Sequence, residues 1–424
     1  MQRHNDKTAE EMRKLITILC AAALLTACHK NDDPEVPKPV RTVVIYMSAE
    51  NSLSSYSLTD FNEMIEGSKL MEEQDNLIVW FDRAKTDELP WLCRVNQGLI
   101  TDSVSIDDLG ISATDELSSN PKVFEQVLRY AYNHYPATDG YGLVLWGHAS
   151  GWLMQDSIAY SRGYGVDNGR NNSGSDSGFW MNIPTIRQVL EQMPHLKFIF
   201  GDCCNFMCLE SLYELRNVAD YIIGSPAEVP SPGAPYNTVV PAMFEHESNM
   251  SSTSDHFVYS IVEKYRAGYP NYLPLSAIST SELEGVATAT RNVLKTIAAL
   301  PEGFAVKDST IHYYYMGSSY TDYNPLYSVF HDAGDYVRSK VSEADYLQWR
   351  EALDKAVVIK RISSKWETNK SWYRYYNDFI MSEEKYHGVS MFVPQEPASS
   401  YYVKYNEDIK KFQWYYKTYA YANP

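Results

Sequence analysis

From residue 42 onward, short apolar runs alternate with amphipathic stretches. The runs are rich in β-branched and aromatic residues and predict buried strands at residues 42–47, 76–81, 91–95, 142–146, 197–201 and 221–225. The stretches between them carry apolar residues at helical spacing and predict helices at residues 58–70, 123–135, 183–193 and 211–216. Continuous apolar strands that alternate with helices predict an α/β fold with a mostly parallel central sheet.

The texture of the chain changes at about residue 301, where tyrosine and charged residues become frequent. Helices are predicted at residues 326–341 and 343–358, and a strand at 388–394 is a candidate to return to the sheet. We therefore divide the folded part into a domain over residues 41–300 and an α-rich, Tyr-rich C-terminal subdomain over residues 301–424. Tyrosine suits a packing layer as well as a surface for peptides or carbohydrates, and both roles stay open.

The N-terminus has the features of an export signal. Two basic residues at 13–14 precede an apolar run at 15–25, which is too short to span a bilayer comfortably. The run ends in Leu-Thr-Ala-Cys at residues 25–28, which resembles the bacterial lipobox, where cleavage precedes a cysteine that is then lipidated. Residues 1–28 are thus predicted as a lipoprotein signal peptide that ends at the lipidated Cys28, and the polar residues 29–40 as a tether.

An acidic tract, Asn-Asp-Asp at residues 31–33, follows the predicted anchor. It resembles the signal that sends lipoproteins of Bacteroides-type bacteria to the cell surface. The N-terminal segment therefore predicts a protein anchored by lipid in the bacterial outer membrane and exposed at the cell surface.

Net charge limits the choice of partners. The chain has 54 acidic and 37 basic residues, which gives a formal net charge of −17. Because binding to phosphates needs a basic surface, a nucleic-acid partner is not expected.

Four cysteines remain after the predicted signal and anchor are set aside, namely Cys93, Cys203, Cys204 and Cys208. Three of them fall within six residues, which is unsuited to a disulfide framework in a large exported domain. The Cys-Cys-x3-Cys pattern also lacks the paired Cys-x2-Cys spacing of zinc sites, although a metal role stays open. A reactive thiol is the better explanation.

His148 and Cys204 each come directly after a predicted strand. In parallel α/β sheets the reactive groups collect beyond the carboxyl ends of the strands. A cysteine nucleophile needs a nearby base to accept its proton, and a histidine serves this purpose. The two residues are 204 − 148 = 56 positions apart, close to the caspase interval of about 50. Two alternatives stay open: Cys203 as the nucleophile, and His148 as a hydrogen-bonded loop residue.

Three motifs resemble the clostripain family of cysteine peptidases. Residues 143–152 (LVLWGHASGW) resemble its histidine motif, residues 200–207 (FGDCCNFM) its cysteine motif, and residues 43–53 (VVIYMSAENSL) its opening strand and loop. The similarity covers roughly residues 41–240. It implies a caspase-like three-layer sandwich and a cysteine endopeptidase with a Cys–His dyad, which acts on peptides or proteins and in several members cleaves after Arg or Lys.

The resemblance assigns roles to individual residues. Cys204 matches the nucleophile, His148 the general acid/base, and Asp202 a carboxylate that helps to form a pocket for a basic side chain. The backbone of Gly147 and Ala149, together with the N–H of Cys204, matches the site that stabilises the oxyanion. Asp202 as a cap of the following helix is the alternative.

Departures from the family pattern affect the expected pocket. The family usually has glycine at the position of Ala149, where the tight turn then becomes less free. Glu228, in the proline-rich stretch 225–230, is a candidate second acid for a basic side chain, and a solvated surface residue is the alternative.

The resemblance also implies that cleavage between the histidine and cysteine motifs can activate the enzyme. Arg162 and Arg170 are candidate self-cleavage sites there, the latter in a loop rich in Gly, Asn and Ser. Some relatives depend on calcium, for which Asp167 and Asp176 are possible oxygen donors. Because no loop has calcium-ligand spacing, we predict no cofactor and no metal site and leave calcium open.

A second function competes with the peptidase. The chain could be a non-catalytic surface lipoprotein that retains the peptidase fold and binds peptides or glycans through its Tyr-rich C-terminal part. The presence of both dyad residues favours the enzyme.

Overall fold

The structure is a computed structural model that describes residues 38–85, 87–114, 116–154, 163–169, 178–246, 255–270, 273–307, 310–311, 313, 329–362, 384–394 and 400–421. No helix among these residues is long and apolar enough to cross a membrane. Residues Pro39–Pro424 cluster into one compact unit.

Nine of the thirteen described strands form one central sheet in the order β12-β10-β9-β8-β5-β1-β2-β3-β4. The strands are β1 Thr42–Ala49, β2 Asn76–Arg83, β3 Trp91–Asn96, β4 Leu99–Ser105, β5 Tyr141–Gly147, β6 Tyr164–Asp167, β7 Phe179–Met181, β8 Leu196–Asp202, β9 Ala219–Gly224, β10 Leu275–Ser279, β11 His331–Asp332, β12 Val357–Arg361 and β13 Ser390–Met391.

The five middle strands of this sheet, β9, β8, β5, β1 and β2, are parallel to one another. Antiparallel pairs extend the sheet at both edges, through β10 and β12 on one side and β3 and β4 on the other. The prediction of an α/β fold with a mostly parallel central sheet is confirmed. The carboxyl ends of the five middle strands therefore meet at one edge of the molecule.

Helices cover both faces of the sheet. The eleven described α-helices are α1 Ser54–Gly67, α2 Pro121–His134, α3 Ile183–Leu190, α4 Leu209–Leu215, α5 Tyr236–Met243, α6 His256–Gly268, α7 Leu283–Ala298, α8 Ala333–Lys340, α9 Glu343–Ala356, α10 Ser400–Asp408 and α11 Gln413–Lys417. Alternate residues of β1 enter two separate apolar clusters, with Val44 and Tyr46 on one face and Val43 and Ile45 on the other. This alternation of a strand buried on both faces produces three layers.

Local chemistry explains where α2 begins. Asn120 stands at its N-cap and accepts a hydrogen bond from the N–H of Lys122, and Pro121 occupies the first turn. Both features favour a helix start, because the cap satisfies an unpaired N–H and proline lacks one. Val123, Phe124 and Val127 then face the core.

The C-terminal part differs from the prediction in three elements. The helix predicted at residues 326–341 begins later, as α8 at Ala333, and β11 precedes it. The predicted strand at 388–394 is reduced to β13, which pairs with β11 in a separate two-stranded sheet. It is β12, at the end of the helix predicted over 343–358, that joins the central sheet. A short β-branched segment after a helix has the same apolar pattern as one more helical turn, so periodicity alone did not separate them.

Tyrosines of the C-terminal part contribute to the packing. Six described tyrosines from residue 313 onward are buried: Tyr313, Tyr336, Tyr346, Tyr386, Tyr405 and Tyr419. All of them belong to the apolar cluster that also covers one face of the central sheet. Their phenol rings therefore add apolar area to the same core.

A charged network closes the amino end of the sheet. His246 bonds Asp139 through Nδ1 at 2.6 Å and Asp75 through Nε2 at 2.9 Å, and the buried Arg41 pairs with Asp139 at 2.6 Å. Burial by itself lowers the pKa of His246, but the hydrogen bonds to Asp139 and Asp75 outweigh it and raise the pKa to about 9. The folded state therefore holds this proton more tightly than the unfolded chain.

We expect the free energy of unfolding to fall as the pH rises from 6.5, the ordinary pKa of histidine, towards 9. The stabilisation linked to this proton is fully present below pH 6.5 and is lost as the pH passes the raised pKa. Urea unfolding at several pH values measures this decrease. In a His246→Gln variant, the free energy of unfolding should decrease over the same pH range by about 2 kcal/mol less than in the wild type. His195→Gln, which removes an exposed histidine paired with Asp220, is the matched control. Equal declines in wild type and His246→Gln would contradict the prediction.

Candidate active site

His148 and Cys204 follow neighbouring parallel strands. Trp146 of β5 pairs in register with Asp202 of β8. His148 and Cys204 each lie two residues beyond this pair, and adjacent strands are about 4.8 Å apart. The sheet therefore brings the two predicted catalytic residues to the same edge at the same level.

The backbone before His148 requires glycine. Gly147 has φ of +146°, and a Cβ built there would lie 2.8 Å from the carbonyl oxygen of Ser48. Because β1 and β5 approach so closely at this point, a side chain has no room. The His148 side chain itself is half-buried, and its Nε2 lies 2.8 Å from the Oγ of Ser52.

Cys204 is the most accessible of the four described cysteines. Its side chain is half-buried, whereas Cys93, Cys203 and Cys208 are buried. The backbone N–H of Val229 donates to the Cys204 Sγ at 3.4 Å. Exposure therefore favours Cys204 over Cys203 as the reactive thiol, since a nucleophile must reach its substrate.

The electrostatic setting keeps the Cys204 thiol protonated before substrate binds. Burial raises its pKa to about 12, with a further contribution from the negative charge of Glu228 and a smaller one from Asp202, while the hydrogen bond from Val229 acts in the opposite direction. A neutral thiol needs a base at the moment of attack, and His148 follows the neighbouring strand at the same level.

Asp202 lies at the bottom of the site in a shell of hydrogen bonds. It is 3% exposed. Tyr265 donates to its Oδ1 at 2.6 Å, and Tyr236 and the N–H of Ala234 donate to its Oδ2 at 2.8 and 2.9 Å. Helix α4 has Cys208 at its N-cap, so Asp202 does not cap it.

A second carboxylate, Asp60 of α1, lies close to Asp202. A Cβ built on Gly233 would be 2.8 Å from an oxygen of Asp202 and 3.0 Å from one of Asp60, so the glycine backbone covers both groups. Burial, with the charge of Asp202 as the next cause, raises the pKa of Asp60 to about 8, although Trp146 donates a hydrogen bond to it. Because the raised pKa keeps Asp60 mostly protonated at neutral pH, the two carboxyl groups together carry less than two full negative charges.

Glu228 lies on the proline-rich loop after β9. Its side chain is half-buried, and burial raises its pKa. The loop is tied to the nucleophile segment, because the N–H of Asn205 donates to the carbonyl of Ala227 at 2.9 Å and Val229 bonds Cys204. Glu228 therefore lies near enough to the Cys204 thiol for its negative charge to raise the thiol pKa.

The backbone donors predicted for the oxyanion lie around the same point. Ala149 does not have a positive φ, so alanine fits the turn where the family usually has glycine. Hydrogen bonds from Ser150 to Gly163 and from Gly165 to His148 flank it and hold the segment. Gly147, Ala149 and Cys204 thus all belong to the loops that follow β5 and β8.

Asn205, directly after the nucleophile, has φ of +56°. Asparagine tolerates this left-handed conformation better than most residues. Asn205 therefore suits the tight turn that presents Cys204.

Three buried carboxylates, those of Glu50, Asp82 and Asp167, lie together beside the loop after β1. Their oxygens are within 4.8 Å of one another. Burial raises the pKa of Asp82 well above its usual range, with contributions from the charges of Asp167 and Glu50. Carboxylates are the ligands that calcium prefers, so the group suits a hard cation. The expected absence of a cofactor stays a prediction.

Several predicted residues lie outside the described part of the chain. They are Cys28, Arg162, Arg170 and Asp176. Lipidation and self-cleavage therefore stay predictions from the sequence.

Sequence reasoning missed two residues of the site. Ser52 contacts His148, and Asp60 lies beside Asp202. Ser52 follows the carboxyl end of β1 within the stretch 43–53, so the rule that reactive groups follow strand ends could have included it. Asp60 is a helical residue with no comparable signal.

Comparison with known proteins agrees with this geometry. The chain matches the clostripain family, Peptidase C11, over residues 45–423. It belongs to this family. A search of curated proteins found no match.

Solved structures of C11 proteases resemble this clostripain-family protein. A secreted C11 cysteine protease from Bacteroides thetaiotaomicron, solved with an irreversible peptide inhibitor, is 30% identical, with 89% of this chain and 98% of that chain covered and a TM-score of 0.68. An inactive zymogen C11 protease from Parabacteroides distasonis is 27% identical, with 90% and 99% covered and a TM-score of 0.69.

The prediction of a cysteine peptidase is confirmed by the family and by these structures. The protein is a hydrolase that acts on peptide or protein substrates. The relationship also confirms the expected caspase-like architecture.

Proposed function

We propose that this clostripain-family peptidase is an endopeptidase that uses a dyad of Cys204 and His148, prefers Arg or Lys before the cleaved bond, and is held by a lipid at Cys28 on the cell surface. One observation supports the dyad: His148 and Cys204 each lie two residues beyond paired residues of adjacent parallel strands, and Cys204 is the most accessible of the four described cysteines.

In the proposed reaction, His148 removes the thiol proton of Cys204 as the sulfur attacks the carbonyl carbon of the substrate. The same proton then passes to the leaving amine as the C–N bond breaks. Water hydrolyses the resulting thioester, with His148 as the base. The N–H groups of Gly147, Ala149 and Cys204 are the proposed donors to the oxyanion.

A preference for basic residues is supported by the acids around the thiol. Glu228 and Asp202 both oppose ionisation of Cys204. A cationic substrate side chain beside them would compensate this field and so favour the thiolate. Glu228 is the more accessible acid and would meet the cation directly, whereas Asp202 would act from below, through the hydroxyls of Tyr236 and Tyr265.

Lipid anchoring and processing rest on the sequence. The signal segment, the lipobox-like residues 25–28 and the acidic tract 31–33 support export to the cell surface. Arg162 and Arg170 are proposed cleavage sites because they match the proposed specificity and lie between the two motifs.

A positional-scanning library of fluorogenic peptides tests the proposal. We expect cleavage after Arg or Lys that disappears when the enzyme is first treated with iodoacetamide, because alkylation removes the nucleophile. A Glu228→Gln variant should lose part of the preference for Arg and Lys.

Failure to cleave any peptide, in both intact and trypsin-nicked protein, would refute the endopeptidase. Thiol-dependent cleavage after small or apolar residues would keep the dyad but remove Asp202 and Glu228 from their proposed roles.

A further inference from the structure

The order of strands places a third side chain in line with the proposed dyad. Strand β5, which carries His148, lies between β8 and β1. Cys204 follows β8 on one side, and Ser52 follows β1 on the other. The imidazole of His148 turns its Nε2 towards Ser52, at 2.8 Å from the hydroxyl oxygen.

The segment around Ser52 is held firmly. The side-chain amide of the buried Asn51 donates to the carbonyls of Ser48 and Val166 at 3.0 and 2.8 Å. Its Oδ1 accepts a hydrogen bond from the N–H of Leu53 at 2.9 Å. Hydrogen bonds thus hold the residues on both sides of Ser52, and they place the backbone of Ser52 beside the ring.

A hydrogen bond to one ring nitrogen selects the tautomer of a neutral histidine, and so decides which nitrogen accepts a proton. If the Ser52 oxygen accepts the Nε2 proton, the lone pair of the neutral ring is on Nδ1. Since Nε2 points to Ser52 on the β1 side, Nδ1 lies on the opposite edge of the ring and is the proton acceptor in this tautomer.

We propose that Ser52 is a positioning residue for His148, which it holds as the Nε2–H tautomer so that Nδ1 exchanges protons with Cys204 and the leaving amine. This inference rests on the proposed dyad. The thiol proton moves to Nδ1 as the sulfur–carbon bond forms, and moves from Nδ1 to the amine as the C–N bond breaks. The Nε2 proton stays in place throughout, and Ser52 neither gains nor loses a proton.

Kinetics of Ser52 variants test the role. With a peptide substrate of the wild-type enzyme, Ser52→Ala should lower kcat about 10-fold or more and leave KM within about twofold. The limb of the pH–rate profile that reports on His148 should move to lower pH, by roughly half a unit or more, because the imidazolium loses a hydrogen-bond acceptor.

Two further variants separate positioning from folding. Ser52→Thr retains the hydroxyl and should restore both kcat and the pH profile. Ser55→Ala removes another exposed serine, three residues further along in the first turn of α1, and should behave as wild type. An unchanged pH–rate profile in Ser52→Ala would overturn the proposal. A lower kcat without a shift of the profile would also overturn it if Ser52→Thr did not restore kcat.

A measurement without turnover keeps this test independent of the proposed function. In protein labelled with ¹⁵N-histidine, the His148 signals, identified by their loss in His148→Gln, should show the Nε2–H tautomer at neutral pH and should change in Ser52→Ala. An Nδ1–H tautomer would overturn the role of Ser52 even in an active enzyme. Loss of all thiol-dependent turnover with the Nε2–H tautomer present would instead refute the dyad alone.

Discussion

Replacement of Cys204 by alanine is expected to lower kcat/KM by roughly 10⁵-fold or more, because the variant has no group that can form the covalent intermediate. Cys203→Ala should retain activity within about 10-fold. Both variants can be measured with one fluorogenic peptide, and iodoacetamide labelling followed by mass spectrometry shows which thiol reacts.

Burial is the physical reason for this contrast. Cys203 is 0% exposed and lies in an apolar cluster, where burial raises the pKa of its thiol well above the usual range. Its loss should therefore appear as a small cavity, with a decrease of about 1 kcal/mol in the free energy of unfolding. Cys208→Ala, another buried cysteine, is the matched control.

The reverse result, with an active Cys204→Ala and an inactive Cys203→Ala, would make Cys203 the nucleophile. The Cys204→Ala protein also reports on self-cleavage. If Arg162 or Arg170 is cut by the enzyme itself, the wild type should show two fragments on a denaturing gel where the variant shows one chain.

Strand ends were the part of the site that the sequence could predict. Runs such as residues 142–146 and 197–201 are apolar on both faces, so they predict parallel strands in the interior of a sheet. The residues that follow them must then share one edge. Placement of His148 and Cys204 followed from this argument, and the motif resemblance selected between Cys203 and Cys204.

Contacts between distant elements were beyond sequence reasoning. Asp202 is enclosed by Tyr236 and Tyr265, which come from α5 and α6, and it lies beside Asp60 of α1. No periodicity within one segment reports on which helices meet over a strand end. The sequence predicted a pocket with Asp202 as its acid. In the structure, tyrosine hydroxyls and the backbone of Gly233 cover the Asp202 carboxylate.

The sequence also did not predict that the C-terminal part packs against the histidine and cysteine motifs. Trp152, four residues after His148, packs against Phe392, with 4.6 Å between the ring centroids and the ring planes tilted by 43°. The N–H of Ser390 donates to the carbonyl of Met207 at 2.9 Å, and that of Phe392 to Glu210 at 2.8 Å. The segment around β13 thus packs behind both the histidine and the cysteine motifs.

A buried hydrogen-bond network around Asp332 holds this supporting segment. Asp332 accepts hydrogen bonds from the Nδ1 of His387 at 2.6 Å and from its backbone N–H at 3.0 Å, from Tyr313 at 2.6 Å and from the N–H of Asp335 at 2.8 Å. Burial alone would raise the pKa of Asp332, but the charge of His387 and these hydrogen bonds outweigh it and the pKa lies below its usual range. The carboxylate is therefore charged and fully satisfied in the folded protein.

Asp332→Ala is expected to lower the free energy of unfolding by about 3–5 kcal/mol, because it removes a buried acceptor shared by four donors. At Nδ1, the His387 ring would retain the carbonyl of Lys385, at 3.0 Å. Urea unfolding followed by tryptophan fluorescence measures the change. Asp354→Ala removes an exposed carboxylate that pairs with Arg350, so it should cost less than about 1 kcal/mol. The segment of β11 and β13 packs behind the histidine and cysteine motifs. The Asp332→Ala enzyme should therefore also lose activity at a lower temperature than the wild type. If the free energy of unfolding of Asp332→Ala were within about 1 kcal/mol of the wild-type value, the packing behind Trp152 would not depend on the hydrogen bonds of Asp332.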